Sequence, residues 1–320
     1  MHTTNAKYAQ IPQIAVIIVT YNGEQWIDAC LQSVQASSID CSIIVIDNAS
    51  IDATTEILEK RFHEITLIKL NENTGFAQAN NLGIATALDQ NADFVFLLNQ
   101  DAKIDRLCIE NLSNAMNDHS KLGIASPVHY DYQGNDLDNG FVWYLEESRS
   151  TYLNDREIKD VKDLYFVKSV PAALWLVRSE ALKEVGGFDP IFFLYGEDDD
   201  LAKRMLEKKW TIAVVPTAVG RHAHTKHETT RQRRRKLVRG YFAIFVGVLK
   251  QSDVSVARRC ARIAIVAMRC IYDAAKRGDI SKIFCVAAAG VKTIAALKQL
   301  RKSIREQRRE YAFIDKNGDS

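Results

Sequence analysis

The chain has 320 residues, 47% hydrophobic and 26% charged, which is typical of a folded globular protein and argues against disorder. The six cysteines form no C-x-x-C pair and no disulfide framework, and no stretch reaches the roughly 18 uncharged apolar residues of a membrane-spanning helix. The net charge of +2 conceals two regions of opposite sign. Residues 1–228 carry 20 basic and 33 acidic side chains, whereas residues 229–312 carry 21 and 5. Two regions with different roles are therefore expected.

The first part of the acidic region alternates predicted strands with predicted helices. Continuous β-branched apolar runs predict buried strands over 14–20, 43–46, 65–70 and 94–98. Apolar residues at helical spacing predict helices over 26–34, 54–62 and 77–88. This alternation predicts a doubly wound, mostly parallel α/β sheet. The loops at the carboxyl ends of its strands would share one edge, where such sheets bind ligands.

The second part is expected to be less regular. Residues 127–170, with two glycines and several acidic residues, are predicted to form an excursion over the surface. Regular structure should return with a strand over 170–177, a turn at Gly186-Gly187, a helix over 199–208 and a strand over 212–215. Beyond residue 231 the pattern predicts two or three long helices and no strands.

Polar residues follow each of the first four predicted strands. The first is followed by Thr20-Tyr-Asn-Gly23, which lacks the glycines of a dinucleotide-binding loop. A Walker lysine loop is absent too. Asp47-Asn48, Asn73-Thr-Gly75 and Asn99-Gln-Asp101 follow the next three strands. Each loop alone is explained as well by turn chemistry, but four of them on one edge indicate a ligand site.

Five motifs occur in order between about residues 14 and 224. They are Ile17-Ile-Val-Thr-Tyr-Asn-Gly23, Ile46-Asp-Asn-Ala-Ser50, Asn73-Thr-Gly-Phe-Ala77 with Asn80-Asn81, Phe96-Leu-Leu-Asn-Gln-Asp101 and Gly186-Gly-Phe-Asp-Pro-Ile-Phe-Phe-Leu-Tyr-Gly-Glu-Asp-Asp-Asp-Leu201. Together they resemble the inverting family 2 glycosyltransferases of the GT-A fold, and most closely the bacterial rhamnosyltransferase-like enzymes. The resemblance implies a GT-A catalytic domain over 1–228, followed by a basic helical region over 229–320.

The resemblance also implies a nucleotide-sugar donor at the shared edge. The expected donor-binding residues are Thr20, Asn22, Asp47, Asn73, Gly75, Asn80, Asn99, Gln100 and Asp101. Asp47 would read the base or the ribose, because a carboxylate accepts hydrogen bonds from base N–H and ribose O–H groups. Asn73, Gly75 and Asn80 lie where a loop enters a helix, which suits sugar hydroxyls or phosphate oxygens. A helix cap is the alternative role for Asn73.

A divalent cation, Mg²⁺ or Mn²⁺, is implied at the diphosphate of the donor. Asp101 is the expected carboxylate ligand. The usual Asp-x-Asp of the family is here Asn99-Gln100-Asp101, so coordination by Asn99 is left open. A histidine is implied as a further ligand, with His222 preferred by its position after the predicted strand 212–215 and His224 as the second choice. His227 is expected to be solvated.

Four consecutive acids, Glu197 to Asp200, precede a predicted helix. The helix dipole favours acids there, but four exceed what capping requires and repel one another. The resemblance implies that Asp198 is the general base of a single displacement, with Glu197 and Asp200 as supporting groups. The expected acceptor-binding residues are Trp175, Tyr195 and Glu197. A role for Trp175 as an ordinary core residue is equally open.

The basic region suggests further partners. Apolar and basic helices suit an anionic membrane surface, and packing on the catalytic domain or in a homo-oligomer is the alternative. Nucleic acid is disfavoured, because no nucleic-acid motif is present and the acidic region would repel a polyanion. We therefore expect a cytoplasmic enzyme, peripheral on the inner face of the cytoplasmic membrane.

The expected activity is that of a hexosyltransferase. It would transfer L-rhamnose from dTDP-rhamnose to a lipid-linked glycan or growing polysaccharide. Two alternatives remain open at this point. One is the same fold using a UDP-hexose or UDP-amino sugar, and the other is a catalytically silent glycan or membrane scaffold.

Overall fold

The computed structural model describes residues 12–223, 229–251 and 254–314. The strands are β1 Ile14–Thr20, β2 Ser42–Asp47, β3 Thr66–Lys69, β4 Phe94–Asn99, β5 Ala102–Ile104, β6 Leu122–Asp131, β7 Tyr165–Val167, β8 Leu174–Arg178 and β9 Thr211–His222. The helices are α1 Ile27–Gln35, α2 Thr54–Arg61, α3 Phe76–Asp89, α4 Cys108–Asp118, α5 Asn139–Glu147, α6 Tyr152–Glu157, α7 Ser179–Val185, α8 Glu197–Glu207, α9 Thr230–Leu249, α10 Val256–Lys276, α11 Ile280–Ala295 and α12 Leu297–Glu306.

The first four strands form the parallel half of one nine-stranded sheet, in the order β3-β2-β1-β4. β1 is buried on both faces. Ile17 belongs to the apolar cluster that contains Ile84 of α3, whereas Ile18 belongs to the opposite cluster with Leu31 of α1. Burial on both faces explains the uninterrupted apolar run of β1. The predicted alternation and the doubly wound arrangement are confirmed.

The other half of the sheet is mixed. β8 is antiparallel to both β4 and β6, and β9 is parallel to β6 but antiparallel to β5 and β7. β9 is longer than the predicted strand 212–215. Its pairing with β6 jumps from Val215 to Val219, so the intervening residues, beginning with Pro216, bulge out of the ladder. Proline has no N–H to donate there, and the strand resumes beyond it.

The prediction for residues 127–170 is wrong. This segment contains the end of β6, both α5 and α6, and β7. The glycines and acidic residues made the segment look polar, yet it has a buried apolar face. Phe141, Leu145 and Tyr152 all belong to a main core cluster. Asp138 caps α5 by accepting a hydrogen bond from the backbone N–H of Phe141 at 2.9 Å.

The basic helices pack on the segment that leads into α8 through a third apolar cluster. Ile191 and Phe192, which precede α8, lie in this cluster with Phe242 and Phe245 of α9. Residues from α10, α11 and α12 complete it. The prediction of helices in this region is confirmed, and part of their surface is buried against the residues before α8.

A buried ion network lies beside this third cluster. Lys250, the residue after α9, donates to Asp189 at 2.7 Å and also contacts Asp200. Asp200 in turn pairs with Arg204 at 2.9 Å, and Ser303 of α12 donates to Asp189. Buried charges are costly unless they are paired. The network therefore holds α9 and α12 in one position relative to α8.

The outward faces of α10 and α11 carry exposed apolar side chains, including Ile265, Met268, Phe284 and Val291. In the described parts of the chain, no single helix is long and apolar enough to cross a membrane. Among the described helices, α11 and α12 taken together, with a 64° bend between them, are the one pair that passes that test of length and composition.

Candidate active site

The parallel strands bring their polar ends to one edge, where Asn48 joins two loops. Its side-chain amide N–H donates to the Asn73 side-chain oxygen and to the Gly75 carbonyl, both at 3.2 Å. Its amide oxygen accepts from the Thr74 N–H at 2.8 Å. Asn48 therefore fixes the loop that enters α3.

The expected donor-binding residues near α3 make structural contacts. Asn73 accepts from the Gly75 N–H at 3.0 Å, and Asn80 donates to the Phe76 carbonyl at 2.9 Å. Gly75 has φ of +87°, and a Cβ there would lie 2.5 Å from the Phe193 carbonyl oxygen. Only glycine fits at this position. The loop before α3 is thus packed against the segment that leads to α8.

Gln100 connects the end of β4 to the turn after β1. Its side-chain oxygen accepts from the Thr20 hydroxyl at 2.6 Å and from the Tyr21 N–H at 2.9 Å. A Cβ at Gly23 would lie 2.2 Å from that same oxygen. The single glycine of this turn therefore makes room for Gln100.

Asp47, at the end of β2, has an unsatisfied buried oxygen. The residue is 2% exposed, and its Oδ2 accepts from the Ser50 N–H at 3.2 Å. Its Oδ1 is buried and has no hydrogen-bond partner among the described residues. Asn22, with φ of +50°, shapes the adjacent turn by accepting from the Ile51 N–H at 2.9 Å. A buried carboxylate oxygen without a donor is costly, so a ligand with N–H or O–H groups would be stabilised here.

Asp101 and His222 come together although about 120 residues separate them. Pairing of Ala102 with His222 in β5 and β9 sets their positions. His222 Nε2 lies 3.4 Å from Asp101 Oδ1 and 3.4 Å from the Asn99 side-chain nitrogen, and its Nδ1 lies 4.0 Å from Asp138 Oδ2. A carboxylate behind a histidine orients the ring toward a metal.

Asp101 and His222 alone do not form a complete metal site. Within residues 12–223, 229–251 and 254–314, no three His, Cys, Asp or Glu side chains form a group that would hold a metal. His224, the second choice for a ligand, and His227 lie outside the described residues. A cation bound to Asp101 and His222 would need further ligands from a bound substrate or water.

The acidic turn begins α8 and follows two left-handed residues, Tyr195 at φ +73° and Gly196 at φ +95°. Glu197 is buried, and its Oε2 has no partner in the part of the chain described. Burial, followed by the charge of Asp198, raises the pKa of Glu197 well above its ordinary value.

Asp198 is partly buried in the same turn. Its Oδ1 accepts from the Asp199 N–H at 2.9 Å, and its Oδ2 lies 3.4 Å from the donating Tyr144 hydroxyl. Burial, followed by the charge of Asp199, raises the pKa of Asp198 to about 6. A carboxylate with such a pKa is ionised at neutral pH and is a stronger base than an exposed one.

Comparison with known protein families identifies the class of enzyme. A family model described as glycosyl transferase family 2 matches residues 15–186, more than half of the chain. The chain belongs to glycosyl transferase family 2. A second model, described as the N-terminal domain of galactosyltransferase, matches residues 161–228. The protein is thus a glycosyltransferase, and by enzyme class a hexosyltransferase.

Curated relatives of this glycosyltransferase include two bacterial rhamnosyltransferases. The N-acetylglucosaminyl-diphospho-decaprenol L-rhamnosyltransferase of Mycobacterium tuberculosis is 25% identical over 243 residues, covering 68% of this chain and 78% of the relative. The dTDP-rhamnosyl transferase RfbF of Shigella flexneri is 26% identical over 212 residues, covering 66% and 69%. Among solved structures, S. aureus TarS 1–349 in complex with UDP-GlcNAc has a TM-score of 0.55 at 18% identity, covering 92% of this chain and 82% of TarS. This likeness shows the GT-A-like fold.

Trp175 does not lie in an acceptor site of the glycosyltransferase. It is fully buried in β8 and stacks on Phe188 with ring centroids 6.3 Å apart. The expected acceptor contact of Trp175 is therefore wrong, and its alternative role as a core residue is confirmed. An aromatic residue inside an apolar strand next to small residues gives no sequence signal that separates these roles.

Asp200 does not support Asp198 directly. Although burial opposes ionisation, the charges of Arg204 and Lys250 hold the pKa of Asp200 below its ordinary value. Its carboxylate is turned toward the basic helices, so the expected supporting role is wrong. One helical turn of acids thus serves two purposes, because successive side chains point in different directions.

Sequence reasoning missed Tyr144 and Asp138, which contact Asp198 and His222. Both lie at or in α5, within the segment interpreted as irregular. The helical spacing of Phe141 and Leu145 after the capping Asp138 was the signal that would have revealed this helix. Of the other two expected acceptor residues, Tyr195 is 38% exposed beside the acidic turn, whereas Glu197 is 5% exposed.

Proposed function

We propose that this glycosyltransferase transfers L-rhamnose from dTDP-rhamnose to a lipid-linked glycan or growing polysaccharide, with inversion at the anomeric carbon. The observation that carries the mechanism is the partly buried Asp198 at the start of α8, whose Oδ2 lies 3.4 Å from the Tyr144 hydroxyl and whose pKa is raised to about 6. The choice of sugar is supported by the names of the relatives from M. tuberculosis and S. flexneri.

The chemical step is a single displacement. The acceptor hydroxyl oxygen attacks the anomeric carbon while its proton passes to the Asp198 carboxylate. The bond from the anomeric carbon to the nucleotide diphosphate breaks, and its electron pair leaves with the diphosphate. One carboxylate base is enough, in contrast to the paired carboxylates of glycosidases. The Tyr144 hydroxyl orients Asp198 through its 3.4 Å contact.

The donor would lie along the polar edge of the parallel strands. Asp47 Oδ1, buried without a partner in the described chain, would accept from a base N–H or a ribose hydroxyl. Asp101 and His222 would hold Mg²⁺ or Mn²⁺, since carboxylate and imidazole are both ligands for divalent cations. The cation would stabilise the negative charge that develops on the leaving diphosphate.

A UDP-linked hexose or amino sugar is the second candidate donor. TarS, which shares the fold, was solved in complex with UDP-GlcNAc. At 18% identity that likeness supports the fold alone, so dTDP-rhamnose remains the first choice.

The membrane association that we propose rests on the outward faces of α10 and α11. On α10 the exposed apolar residues Ile265, Met268 and Tyr272 lie beside a stripe of exposed basic residues, namely Arg258, Arg262, Arg269 and Lys276. On α11 an apolar stripe runs through Ile280, Phe284, Val291 and Ile294. Such a surface suits the inner face of the cytoplasmic membrane, whose lipids are anionic.

Sedimentation with vesicles tests this assignment. Replacing Phe284 and Val291 together by Ser should release the protein from anionic vesicles while leaving it folded. If the double variant instead abolishes a homo-oligomer and vesicle binding is unchanged, the face is a subunit interface and the membrane assignment is wrong.

A donor panel tests the enzymatic proposal. Thermal shifts with dTDP, UDP and GDP in Mn²⁺ should be largest for dTDP, and transfer should be fastest from dTDP-rhamnose. A larger shift with UDP and transfer only from a UDP-sugar would select the second candidate. Absence of transfer from every donor would overturn the proposed function.

A further inference from the structure

Helix α9 packs against the residues that directly precede the acidic turn. A Cβ at Gly196 would lie 2.5 Å from the Ala243 methyl group, so the two segments are in close contact. Lys236 lies 5.9 Å from the Tyr195 ring, and Arg239 lies 4.8 Å from the Phe193 ring. The basic half of α9 therefore borders the segment that leads into Glu197 and Asp198.

A groove of about 430 Å³ runs along this part of α9. It is lined by Arg233, Lys236, Leu237, Gly240, Tyr241 and Ile244, which share one face of the helix because they recur every three or four residues. Two cations line its first turn, and apolar side chains line the turns beyond. The groove is thus amphipathic along its length.

Gly240 forms the open middle of the groove. A Cβ added there would meet no atom within 4 Å, so the glycine is not required for packing against another element. Tyr241 lies beside Cys270 of α10 and Cys285 of α11. The groove therefore lies between the acidic turn and helices α10 and α11, whose outward faces carry exposed apolar side chains.

The surroundings of the groove are positively charged. Arg233 and Lys236 line one end of the groove, and Arg239 follows three residues beyond Lys236 on the same helix. Clustered cations concentrate anionic ligands. An occupant that matches this groove carries phosphate at one end and hydrocarbon at the other.

We propose that this groove binds the diphosphate and the first isoprene units of a polyisoprenyl-diphosphate-linked acceptor. Arg233 and Lys236 would contact the phosphates, and Leu237 and Ile244 would contact the hydrocarbon. The acceptor sugar would then extend past Tyr195 toward Asp198. This inference rests on the proposed function and adds to it the residues that select the acceptor.

Binding of farnesyl diphosphate to the full-length protein tests the groove without a donor. Wild type should bind it more tightly than farnesol or inorganic diphosphate, because each probe lacks one half of the ligand. Arg233→Gln and Lys236→Gln should each raise the dissociation constant about tenfold, as expected for loss of an exposed charge-assisted contact. Arg235→Gln is the matched control, since Arg235 is exposed on the same helix but does not line the groove.

Gly240→Leu tests the groove by filling it. The added side chain has free space, and leucine favours a helix over glycine, so the melting temperature should not fall. Binding of farnesyl diphosphate should nevertheless weaken at least tenfold. In transfer assays the KM for a lipid-diphosphate acceptor should rise with the KM for the donor unchanged.

Several results would overturn the inference. They are equal binding of inorganic diphosphate and farnesyl diphosphate, an equal loss in Arg235→Gln, or unchanged binding in the three groove variants. A raised donor KM would instead assign Arg233 and Lys236 to the donor and would also overturn it. Failure of transfer from every donor, with groove-specific binding intact, would refute the proposed function alone.

Discussion

The proposed mechanism needs the Asp198 carboxylate for catalysis, but the ionised carboxylate destabilises the folded protein. Replacing Asp198 by Asn should therefore lower the rate of transfer and raise the stability. The fold raises the pKa of Asp198 from 3.8 to about 6, and each unit corresponds to about 1.4 kcal/mol. The ionised group therefore costs the folded state at most about 3 kcal/mol. Since Asp198 is only partly buried, we expect about 1–2 kcal/mol of this cost in practice.

The sign of this effect follows from proton linkage. A raised folded-state pKa means that the folded protein binds the proton more tightly than the unfolded chain. The penalty is absent below the unfolded value of 3.8 and is fully present above about pH 6. Asp198→Asn should thus raise the melting temperature at pH 8, by about 2–6 °C, and leave it nearly unchanged near pH 3.5.

The same substitution should abolish most of the transfer. Loss of a general base typically lowers kcat by about 10²–10⁴-fold, whereas donor binding should be retained because the side-chain volume is conserved. The assays are transfer kinetics, donor titration and calorimetry at the two pH values. Transfer within tenfold of wild type, or no stabilisation at pH 8, would refute this interpretation of Asp198.

Asp199→Asn is the matched control in the same turn. Asp199 is exposed and accepts from the Ser169 hydroxyl at 3.1 Å, so transfer should persist. Because the charge of Asp199 contributes to the raised pKa of Asp198, the acid limb of the rate profile should move below pH 6. An unchanged acid limb would show that another group controls it.

Three further predictions concern the donor, the metal and the basic helices. Asp47→Asn should weaken nucleotide binding measured by calorimetry, since an amide cannot replace both carboxylate oxygens; unchanged affinity would remove Asp47 from the base pocket. His222→Ala should raise the Mn²⁺ concentration needed for half-maximal transfer about 10–100-fold. EDTA should stop transfer by the wild-type protein, and persistent activity in EDTA would contradict metal assistance. Lys250→Met should lower the free energy of unfolding by about 3–5 kcal/mol in urea, because it leaves the buried Asp189 carboxylate without a cation and Asp200 with Arg204 alone. An effect below about 1 kcal/mol would show that the network is not needed.

The parallel half of the sheet was predictable because its information is local. Each strand is a short β-branched run, each crossover has helical periodicity, and both patterns lie within a dozen residues. The polar strand ends followed from the same reasoning, since parallel strands must end on one edge. The positions of Asp47 and Asp101 at that edge were therefore predictable from the sequence together with the resemblance.

The features that were missed depend on contacts between distant segments. The extension of β9 beyond Pro216 requires β6 as a partner on the far side of the bulge. The direction of the Asp200 side chain is set by Lys250, which is 50 residues away. The burial of Trp175 depends on Phe188 in another segment. No local pattern contains this information, so such roles appear only in the folded chain.

The stereochemistry of the product tests the central claim most directly. Incubation with dTDP-rhamnose, Mn²⁺ and a lipid-diphosphate acceptor, followed by NMR of the anomeric centre, reports both the sugar and the course of the reaction. Single displacement with Asp198 as the base predicts a rhamnosyl product whose anomeric configuration is opposite to that of the donor. A product with retained configuration would contradict it.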